Sequence, residues 1–190
     1  FNYENIEISD DKWIRDERIK VILGMGRLST QKDFATLIKA FSLVIKKNKK
    51  CRLIICGEGN ERKYLLSLIK DLDLIDYVKI IGFIHNPYSY LKGADIFCLT
   101  SLWEGFGNVI VESLALGTTV ISTSCKGGPK EILINEKIGK LVPIKDDLFL
   151  SKAIIEELDN PSDNKMNIQY ALRYKSIYIC ESYFKFITSS

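Results

Sequence analysis

The sequence predicts an α/β fold: a Rossmann-like, doubly wound parallel sheet with helices on both faces. Short apolar runs alternate with longer amphipathic segments, and one strand–helix repeat takes roughly 25 to 30 residues, as expected for such a sheet. Runs such as KVILGMG (20–26) and RLIICGEG (52–59) are apolar throughout rather than alternating, which is typical of strands covered on both faces. At 190 residues and 46% hydrophobic, the chain suits one such domain.

Apolar periodicity assigns the elements in chain order. The predicted strands cover 20–26, 52–59, 78–83, 95–101, 119–124 and 139–143, and the predicted helices cover 34–47, 62–72, 87–93 and 109–117, the last closed by Gly117. Two or three further helices are expected in the rest of the chain. In such a sheet ligands bind beyond the carboxyl ends of the strands, so we expect the loops that follow strands to carry function.

The composition narrows the function classes. A formal net charge of +3 is too small to indicate nucleic-acid binding, which usually requires a clearly more basic domain. A single histidine, His85, excludes zinc sites that need several imidazoles, and the five cysteines have no CxxC spacing. We therefore expect reduced, structural cysteines in a cytoplasmic protein, and no metal site. No apolar stretch approaches the roughly 18 residues of a membrane span.

The loop after the first predicted strand, GMGRLSTQKDF (24–34), indicates an anion site. Gly24 and Gly26 let the backbone turn tightly, and Arg27 and Lys32 then flank the N-terminus of a helix. Two cations beside free helix amides suit a diphosphate. The alternative is a pair of solvated surface cations.

A second loop and its helix, SLWEGFGNVIVESLALG (101–117), carry two carboxylates. Glu104 lies in a glycine-flanked loop at the carboxyl end of a strand, and Glu112 lies about 7.5 Å up the following helix, at 1.5 Å per residue. Carboxylates placed in this way can accept paired hydrogen bonds from two separate diols, such as a sugar and a ribose. On spacing alone, one charge at a helix N-terminus and one exposed helical glutamate fit equally well.

A third loop, SCKGGPKEIL (124–133), has two glycines before a predicted helix. Gly127 and Gly128 would leave backbone amides exposed near the pocket, with Glu131 in the first helical turn. A carboxylate at that position also simply complements the helix dipole.

The chain closely resembles the C-terminal half of the large retaining glycosyltransferase family 4 in four ordered motifs: GRLSTQKDFATLIKAF, CGEGNERKYL, EGFGNVIVESLALGTTVIST and GGPKEI. The E-x7-E spacing of Glu104 and Glu112 is the signature of that family, and the resemblance covers about residues 18–145. It implies one half of a GT-B fold, in which two Rossmann-like domains face each other across a cleft. The C-terminal domain binds a nucleotide-sugar, and the N-terminal domain mostly binds the acceptor.

The resemblance also implies a role for each matching residue. Arg27 and Lys32 would bind the donor diphosphate and stabilise it as the leaving group. Glu104 would contact hydroxyls of the transferred sugar, and Glu112 would hold the ribose hydroxyls. One departure is Asp33, where the family often has glycine after the lysine.

Further substrate-binding positions implied by the resemblance act through the main chain. The backbone amides that assist Glu104 would come from Phe106, Gly107 and Asn108, and the main chain near Ile84 would contact the base. The glycines of the site would be Gly26 in the first loop and, in the family's glycine-rich GxG loop, Gly57 and Gly59.

Together with the length of the chain, the resemblance implies that this chain is only the donor-binding half. Residues 1–17 would follow the interdomain linker, 18–172 would form the nucleotide-sugar-binding domain, and 173–190 would form a C-terminal helix. The expected reaction is transfer of a hexosyl group, with retention, from a UDP- or GDP-sugar to a glycan or lipid-linked acceptor in cell-surface polysaccharide synthesis, without metal or cofactor. The expected partners are the nucleotide-sugar and the missing N-terminal acceptor domain, which would also provide any peripheral association with the inner face of the membrane.

Two other functions are compatible with the pattern. One is a non-catalytic module that binds a nucleotide-sugar, but a decayed module has little reason to keep the set Arg27, Lys32, Glu104 and Glu112. The other is a sugar-nucleotide epimerase with the same two-domain fold, whose hydrolytic chemistry needs more acid and base groups than this half carries. The segment GEGNER (57–62) partly imitates a dinucleotide fingerprint, but it lacks the third glycine and follows the second strand rather than the first.

Overall fold

The structure, a computed structural model, describes residues 5–134 and 138–174. Within them, six parallel strands form one sheet in the order β3-β2-β1-β4-β5-β6. The strands are β1 (Lys20–Met25), β2 (Cys51–Cys56), β3 (Val78–Gly82), β4 (Ile96–Leu99), β5 (Thr119–Thr123) and β6 (Gly139–Val142). The helices are α1 (Lys12–Arg15), α2 (Phe34–Lys47), α3 (Arg62–Asp71), α4 (Pro87–Gly93), α5 (Asn108–Ala115), α6 (Pro129–Ile132), α7 (Asp147–Asp159) and α8 (Asn164–Ala171). The predicted fold class is confirmed.

The strand order creates a crevice between β1 and β4. From β1 the chain first builds the sheet toward β3, and it then returns to add β4, β5 and β6 on the other side of β1. The loop that leaves β1 leads to α2 on one face of the sheet, whereas the loop that leaves β4 leads to α5 on the other face, and doubly wound sheets bind ligands at the point where these two loops begin. These are two of the three loops that the sequence singles out.

Both faces of the sheet are buried, which explains the uniformly apolar strands. Ile22 contributes to a core cluster on one face, which includes α2, α3 and α7, whereas its neighbours Val21 and Leu23 contribute to a second cluster on the other. Successive residues of a strand point to opposite faces, so a strand covered on both sides needs apolar side chains at every position.

Most predicted elements coincide with the observed ones. The second strand is shorter than predicted, because the chain leaves the sheet after Cys56. Helix α5 ends at Ala115, and Gly117 follows it with a φ of 82°, the left-handed conformation that commonly terminates a helix. Helix α1 was not predicted. The division into 1–17, 18–172 and 173–190 stays a prediction, and all but the first two residues of the predicted C-terminal helix lie outside the described residues.

The described cysteines fit the expectation of structural thiols. Cys51, Cys56, Cys98 and Cys125 are buried and unpaired. Burial raises the pKa of the Cys51 thiol to about 11 and that of Cys56 to about 12, so both stay protonated at neutral pH. Among the helices in the described part of the chain, none has the length and apolar character needed to cross a membrane.

Candidate functional site

The loops after β1 and β4 are joined by hydrogen bonds at the carboxyl edge of the sheet. The backbone amide of Leu102 donates to the carbonyl oxygen of Gln31 at 2.8 Å, and the Gln31 side chain donates to the carbonyl oxygen of Trp103 at 2.8 Å. The Thr100 hydroxyl donates to the carbonyl oxygen of Lys32, also at 2.8 Å. Two of the loops that the sequence selects independently are thus parts of one structure.

Lys32 and Glu104 lie in direct contact in this structure. The Nζ atom of Lys32 is 2.5 Å from Oε1 of Glu104, and the two side chains are only 18% and 10% exposed. The aliphatic part of Lys32 passes close over Gly26, where an added Cβ would lie 3.1 Å from Cε of the lysine. The ion pair was not predicted, because the resemblance assigns the two groups to different parts of the donor.

The ion pair leaves binding capacity on both partners. An ammonium group has three N–H donors, and the Lys32–Glu104 contact uses one of them. Oε1 of Glu104 also accepts a hydrogen bond from the Ser101 hydroxyl at 2.5 Å, whereas Oε2 accepts none from the described residues. The pair can therefore bind an anion through Lys32 and a hydroxyl group through Oε2 of Glu104 at the same time.

Arg27 stands apart from this pair. It lies two residues beyond the end of β1, and its side chain is exposed and forms no ion pair within residues 5–134 and 138–174. An exposed guanidinium without an ion-pair partner can reorient toward an incoming anion. The structure thus brings Lys32 and Glu104 together and leaves the Arg27 side chain exposed.

The sequence predicts free backbone amides at the start of α2, but the amide of Thr36 is already hydrogen-bonded. Asp33 caps the helix, and its carboxylate accepts from the amide of Thr36 at 3.4 Å and from the Thr36 hydroxyl at 2.7 Å. Asp33 has the left-handed conformation, with φ 45° and ψ 49°. That conformation favours glycine, which explains why glycine suits this position in the resembling family, and the cap offsets the strain of an aspartate there.

The predicted glycines of the first two loops allow backbone to pack on backbone. The amide of Gly57 donates to the carbonyl oxygen of Gly82 at 2.7 Å, and that of Gly26 donates to the carbonyl oxygen of Cys56 at 3.0 Å. A Cβ on Gly57 would lie 1.8 Å from the carbonyl oxygen of Gly26, which no side chain could tolerate. At Gly59, a Cβ would lie 2.2 Å from the carbonyl oxygen of Leu28.

The prediction for Gly24 needs correction. This glycine lies inside β1 rather than in a turn, and a Cβ there would lie 2.8 Å from Leu37 and 3.0 Å from Phe34 of α2. Its function is to let the helix approach the sheet. Ile84, the residue expected near the base, lies in the loop after β3 and is half-buried against the second core cluster.

The loop that carries Glu104 rests on the glycines of the third loop. The amide of Glu104 donates to the carbonyl oxygen of Lys126 at 3.1 Å, and the amide of Gly128 donates to the carbonyl oxygen of Gly105 at 2.7 Å. A Cβ on Gly127 would lie 2.0 Å from the carbonyl oxygen of Glu104. The expectation of an exposed amide at Gly128 is therefore wrong, because that amide supports the neighbouring loop.

The predicted amide donors lie where α5 begins. Gly107 precedes the helix with a φ of 84°, and no side chain caps the helix at this end. Asn108, the first residue of α5, is exposed, and the half-exposed ring of Phe106 packs against Tyr174 with the ring centres 5.9 Å apart.

Glu112 lies one turn further along α5, with a half-buried side chain. Burial raises the pKa of its carboxyl group above the ordinary value of 4.5. Within the described part of the chain it has neither an ion pair nor a hydrogen-bond donor, which leaves its oxygens available for ligand hydroxyls.

Sequence reasoning missed the residues that hold the pair in place. Thr100 and Ser101 follow the apolar run of β4, and both are buried. Two hydroxyl residues directly after a buried strand were a usable signal, since they lie at the ligand-binding edge of the sheet. In the described part of the chain, no group of three or more His, Cys, Asp and Glu side chains is arranged to hold a metal ion.

Comparison with known proteins shows that the chain is similar in sequence to bacterial glycosyltransferases. It is 33% identical over 178 residues to the N-acetylgalactosamine-N,N'-diacetylbacillosaminyl-diphospho-undecaprenol 4-alpha-N-acetylgalactosaminyltransferase of Campylobacter jejuni, covering 93% of this chain and 47% of that protein. It is 34% identical over 142 residues to the lipopolysaccharide core biosynthesis glycosyltransferase LpsD of Rhizobium meliloti, covering 75% of this chain and 40% of that protein. The chain thus spans less than half the length of these relatives.

Solved structures support the same fold. HepE of Anabaena, crystallised in complex with UDP, superposes with a TM-score of 0.79 at 25% identity, over 91% of this chain and 50% of that one. The C-terminal domain of a glycosyl transferase group 1 family protein from Francisella tularensis superposes with a TM-score of 0.71 at 22% identity, over 90% of this chain and 92% of that domain. The expected fold, one half of a GT-B architecture, is confirmed.

The family assignment follows from the breadth of these matches. The model of the family described as glycosyl transferases group 1 matches residues 5–174, which include every predicted site residue. By this match and by its relatives, the chain belongs to the group 1 glycosyl transferases.

Proposed function

We propose that this chain is the donor-binding domain of a retaining, metal-independent glycosyltransferase of family 4. It binds a UDP- or GDP-sugar, and a hexosyl group is transferred to a glycan or lipid-linked acceptor held by an N-terminal domain. The names of the relatives support this proposal, because the protein of Campylobacter jejuni is named for an undecaprenol-linked acceptor and LpsD for lipopolysaccharide core biosynthesis. In this proposal the protein acts in cell-surface polysaccharide synthesis in the cytoplasm, at the inner face of the membrane.

The observation that carries the proposal is the contact between Lys32 and Glu104 at the carboxyl edge of the sheet, between β1 and β4. A cation and a carboxylate 2.5 Å apart can bind a diphosphate and an adjacent sugar hydroxyl together. A nucleotide-sugar has these two groups next to each other, since the sugar is bonded directly to the diphosphate. The complex of HepE with UDP supports the nucleotide part of the assignment.

Each side chain then has a role in the proposed reaction. As the bond between the sugar and the diphosphate breaks, negative charge grows on the diphosphate, and Lys32 and Arg27 stabilise that charge. Oε2 of Glu104 accepts hydrogen bonds from the sugar, assisted by the amides at the start of α5. Glu112 binds the ribose hydroxyls, and the backbone near Ile84 contacts the base.

The test is nucleotide binding by this chain without metal. We expect UDP or GDP to bind equally well with and without EDTA. Each charge-assisted contact is worth about 1.5–3 kcal/mol, so replacing both Arg27 and Lys32 with alanine should weaken binding by roughly a hundredfold or more. Isothermal titration calorimetry with UDP, GDP and ADP measures both effects.

The matched control is the double substitution Lys46→Ala and Lys47→Ala. These exposed lysines end α2, so the control removes the same charge from the far end of the helix. The proposal is wrong if EDTA abolishes nucleotide binding, or if the control weakens binding as much as the double substitution at Arg27 and Lys32.

A further inference from the structure

Among the buried serines in the described part of the chain, only Ser101 donates its hydroxyl hydrogen bond to an ionised side chain. It is fully buried and donates to Oε1 of Glu104 at 2.5 Å, a distance typical of a hydroxyl bound to a carboxylate. The other buried serines, Ser113, Ser122 and Ser151, donate instead to backbone carbonyl oxygens. We propose that Ser101 is a positioning residue that fixes the Glu104 carboxylate, so that Oε1 faces the protein and Oε2 faces the sugar of the donor.

Ser101 is itself held rigidly. Its carbonyl oxygen accepts a hydrogen bond from the hydroxyl of Thr123 in β5 at 2.5 Å, and Thr123 is also fully buried. The neighbouring Thr100 holds the backbone of Lys32. The dipeptide after β4 therefore holds both members of the ion pair, the lysine by its backbone and the glutamate by its side chain.

The contribution of Ser101 depends on whether the diphosphate is bound. In the free protein, Oε1 of Glu104 has two donors, Lys32 and Ser101. A diphosphate draws the ammonium group of Lys32 toward its own oxygens, which weakens the hold of Lys32 on the carboxylate. Ser101 then supplies the bond to Glu104 that does not compete with the ligand.

This inference rests on the proposed function and makes a selective prediction. Without the Ser101 hydroxyl, Glu104 can rotate when the diphosphate binds. Contacts with the sugar should therefore weaken, whereas contacts with the nucleotide should not. We expect Ser101→Ala to weaken binding of a sugar-nucleotide by about tenfold, the effect of one good hydrogen bond, and to change binding of the matching nucleoside diphosphate by less than about twofold.

The experiment titrates the unmodified chain and three variants with both kinds of ligand. The probe is whichever of UDP-glucose, UDP-N-acetylglucosamine, UDP-N-acetylgalactosamine and GDP-mannose the unmodified chain binds most tightly, together with UDP or GDP. Ser101→Ala, Glu104→Gln and their combination form a double-mutant cycle. Because Ser101 acts through Glu104, the combination should cost no more than Glu104→Gln alone.

The matched control is Ser151→Ala, which removes a buried serine hydroxyl from α7. It should lower the thermal unfolding midpoint without affecting either ligand. If Ser101→Ala does not fold, Ser101→Cys keeps the size of the side chain with a weaker donor and should show the same selectivity.

The outcomes separate this inference from the proposed function. If the unmodified chain binds none of the nucleotides, the proposed function is wrong. If it binds them but Ser101→Ala weakens both kinds of ligand equally, behaves like Ser151→Ala, or adds its full effect to that of Glu104→Gln, then only the role of Ser101 is overturned.

Discussion

At the scale of single residues, the fold gives two glutamates of one short segment opposite surroundings. Glu104 receives an ammonium group and a hydroxyl group from the protein. Glu112 receives neither within the described residues, and burial raises the pKa of its carboxyl group. Charging Glu112 therefore costs free energy in the unliganded protein, and ligand hydroxyls would reduce that cost.

This difference predicts an unusual effect of Glu112→Gln. The substitution should weaken a sugar-nucleotide and its bare nucleoside diphosphate alike, by about ten- to hundredfold at neutral pH, since a charge-assisted bond to a hydroxyl is lost. It should also leave the thermal unfolding midpoint unchanged or higher, because glutamine removes the cost of ionising a half-buried carboxyl group. Calorimetry and thermal unfolding measure the two effects, with Glu17→Gln as the control, at an exposed position that forms no ion pair with the described residues.

The sign of the pH dependence follows from the raised pKa. A carboxyl group whose folded-state pKa lies above its unfolded value favours the folded state when it is protonated, so this contribution is lost as pH rises from 4.5 through the folded pKa. An ionised carboxylate binds ligand hydroxyls more strongly than a protonated carboxyl group does, so sugar-nucleotide affinity should fall as pH decreases through the same window. Glu112→Gln should lack this acid-side loss. A parallel loss of affinity and stability in this variant would contradict the assignment.

At the scale of elements, the position of the Glu104 loop depends on close backbone packing between two loops. Gly128 has ordinary helical dihedral angles, φ −56° and ψ −26°, so alanine is allowed there by its conformation. The restriction is steric, because a Cβ would lie 1.9 Å from the carbonyl oxygen of Phe106. The loops cannot keep their present spacing with any side chain at this position.

We therefore predict that Gly128→Ala displaces the loop and lowers the free energy of unfolding by about 1–3 kcal/mol, the usual cost of overpacking. Sugar-nucleotide affinity should fall with it. Gly105→Ala is the matched control, since nothing lies within 4 Å of a Cβ at that position. Denaturant unfolding and titration with a sugar-nucleotide measure both variants, and equal behaviour of the two would contradict the packing argument.

At the scale of the whole molecule, the proposed function makes the site one wall of a cleft between two domains. The loops that carry Lys32 and Glu104 lie at the carboxyl edge of the sheet, and the chain spans less than half of the relatives it matches. Holding two substrates in a reactive arrangement accounts for roughly 7–11 kcal/mol of a barrier, and under the proposed function this chain holds only the donor.

We therefore predict that residues 1–190 alone transfer no sugar to any acceptor, although slow hydrolysis of the donor can persist. Mass spectrometry of reactions with sugar-nucleotides and a panel of glycan and lipid-linked acceptors tests this. The control is a longer protein that includes an N-terminal domain like those of the relatives, in which transfer should occur with retention at the anomeric carbon. Robust transfer by this chain alone would contradict the proposal that one domain binds the donor and another binds the acceptor.

Local patterns were sufficient to predict most of the elements and three of the loops that matter. The helix 34–47 was predicted at its observed bounds, because its apolar spacing and its junction with a glycine-rich loop are both readable from neighbouring residues. The predicted set of site residues also includes Lys32 and Glu104, which are 72 positions apart in the sequence and prove to be in contact.

The fold class, the order of the elements and the residue types at the strand ends can therefore all be read from the sequence. The pairing of Lys32 with Glu104, the hydrogen bond from Ser101 to Glu104 and the hydrogen bond from the Gly128 amide to the neighbouring loop depend on the three-dimensional fold. The physical reason is that periodicity reports which side of an element is buried, whereas contacts between loops depend on the strand order. Placing β4 beside β1 is what brings distant loops within hydrogen-bonding distance.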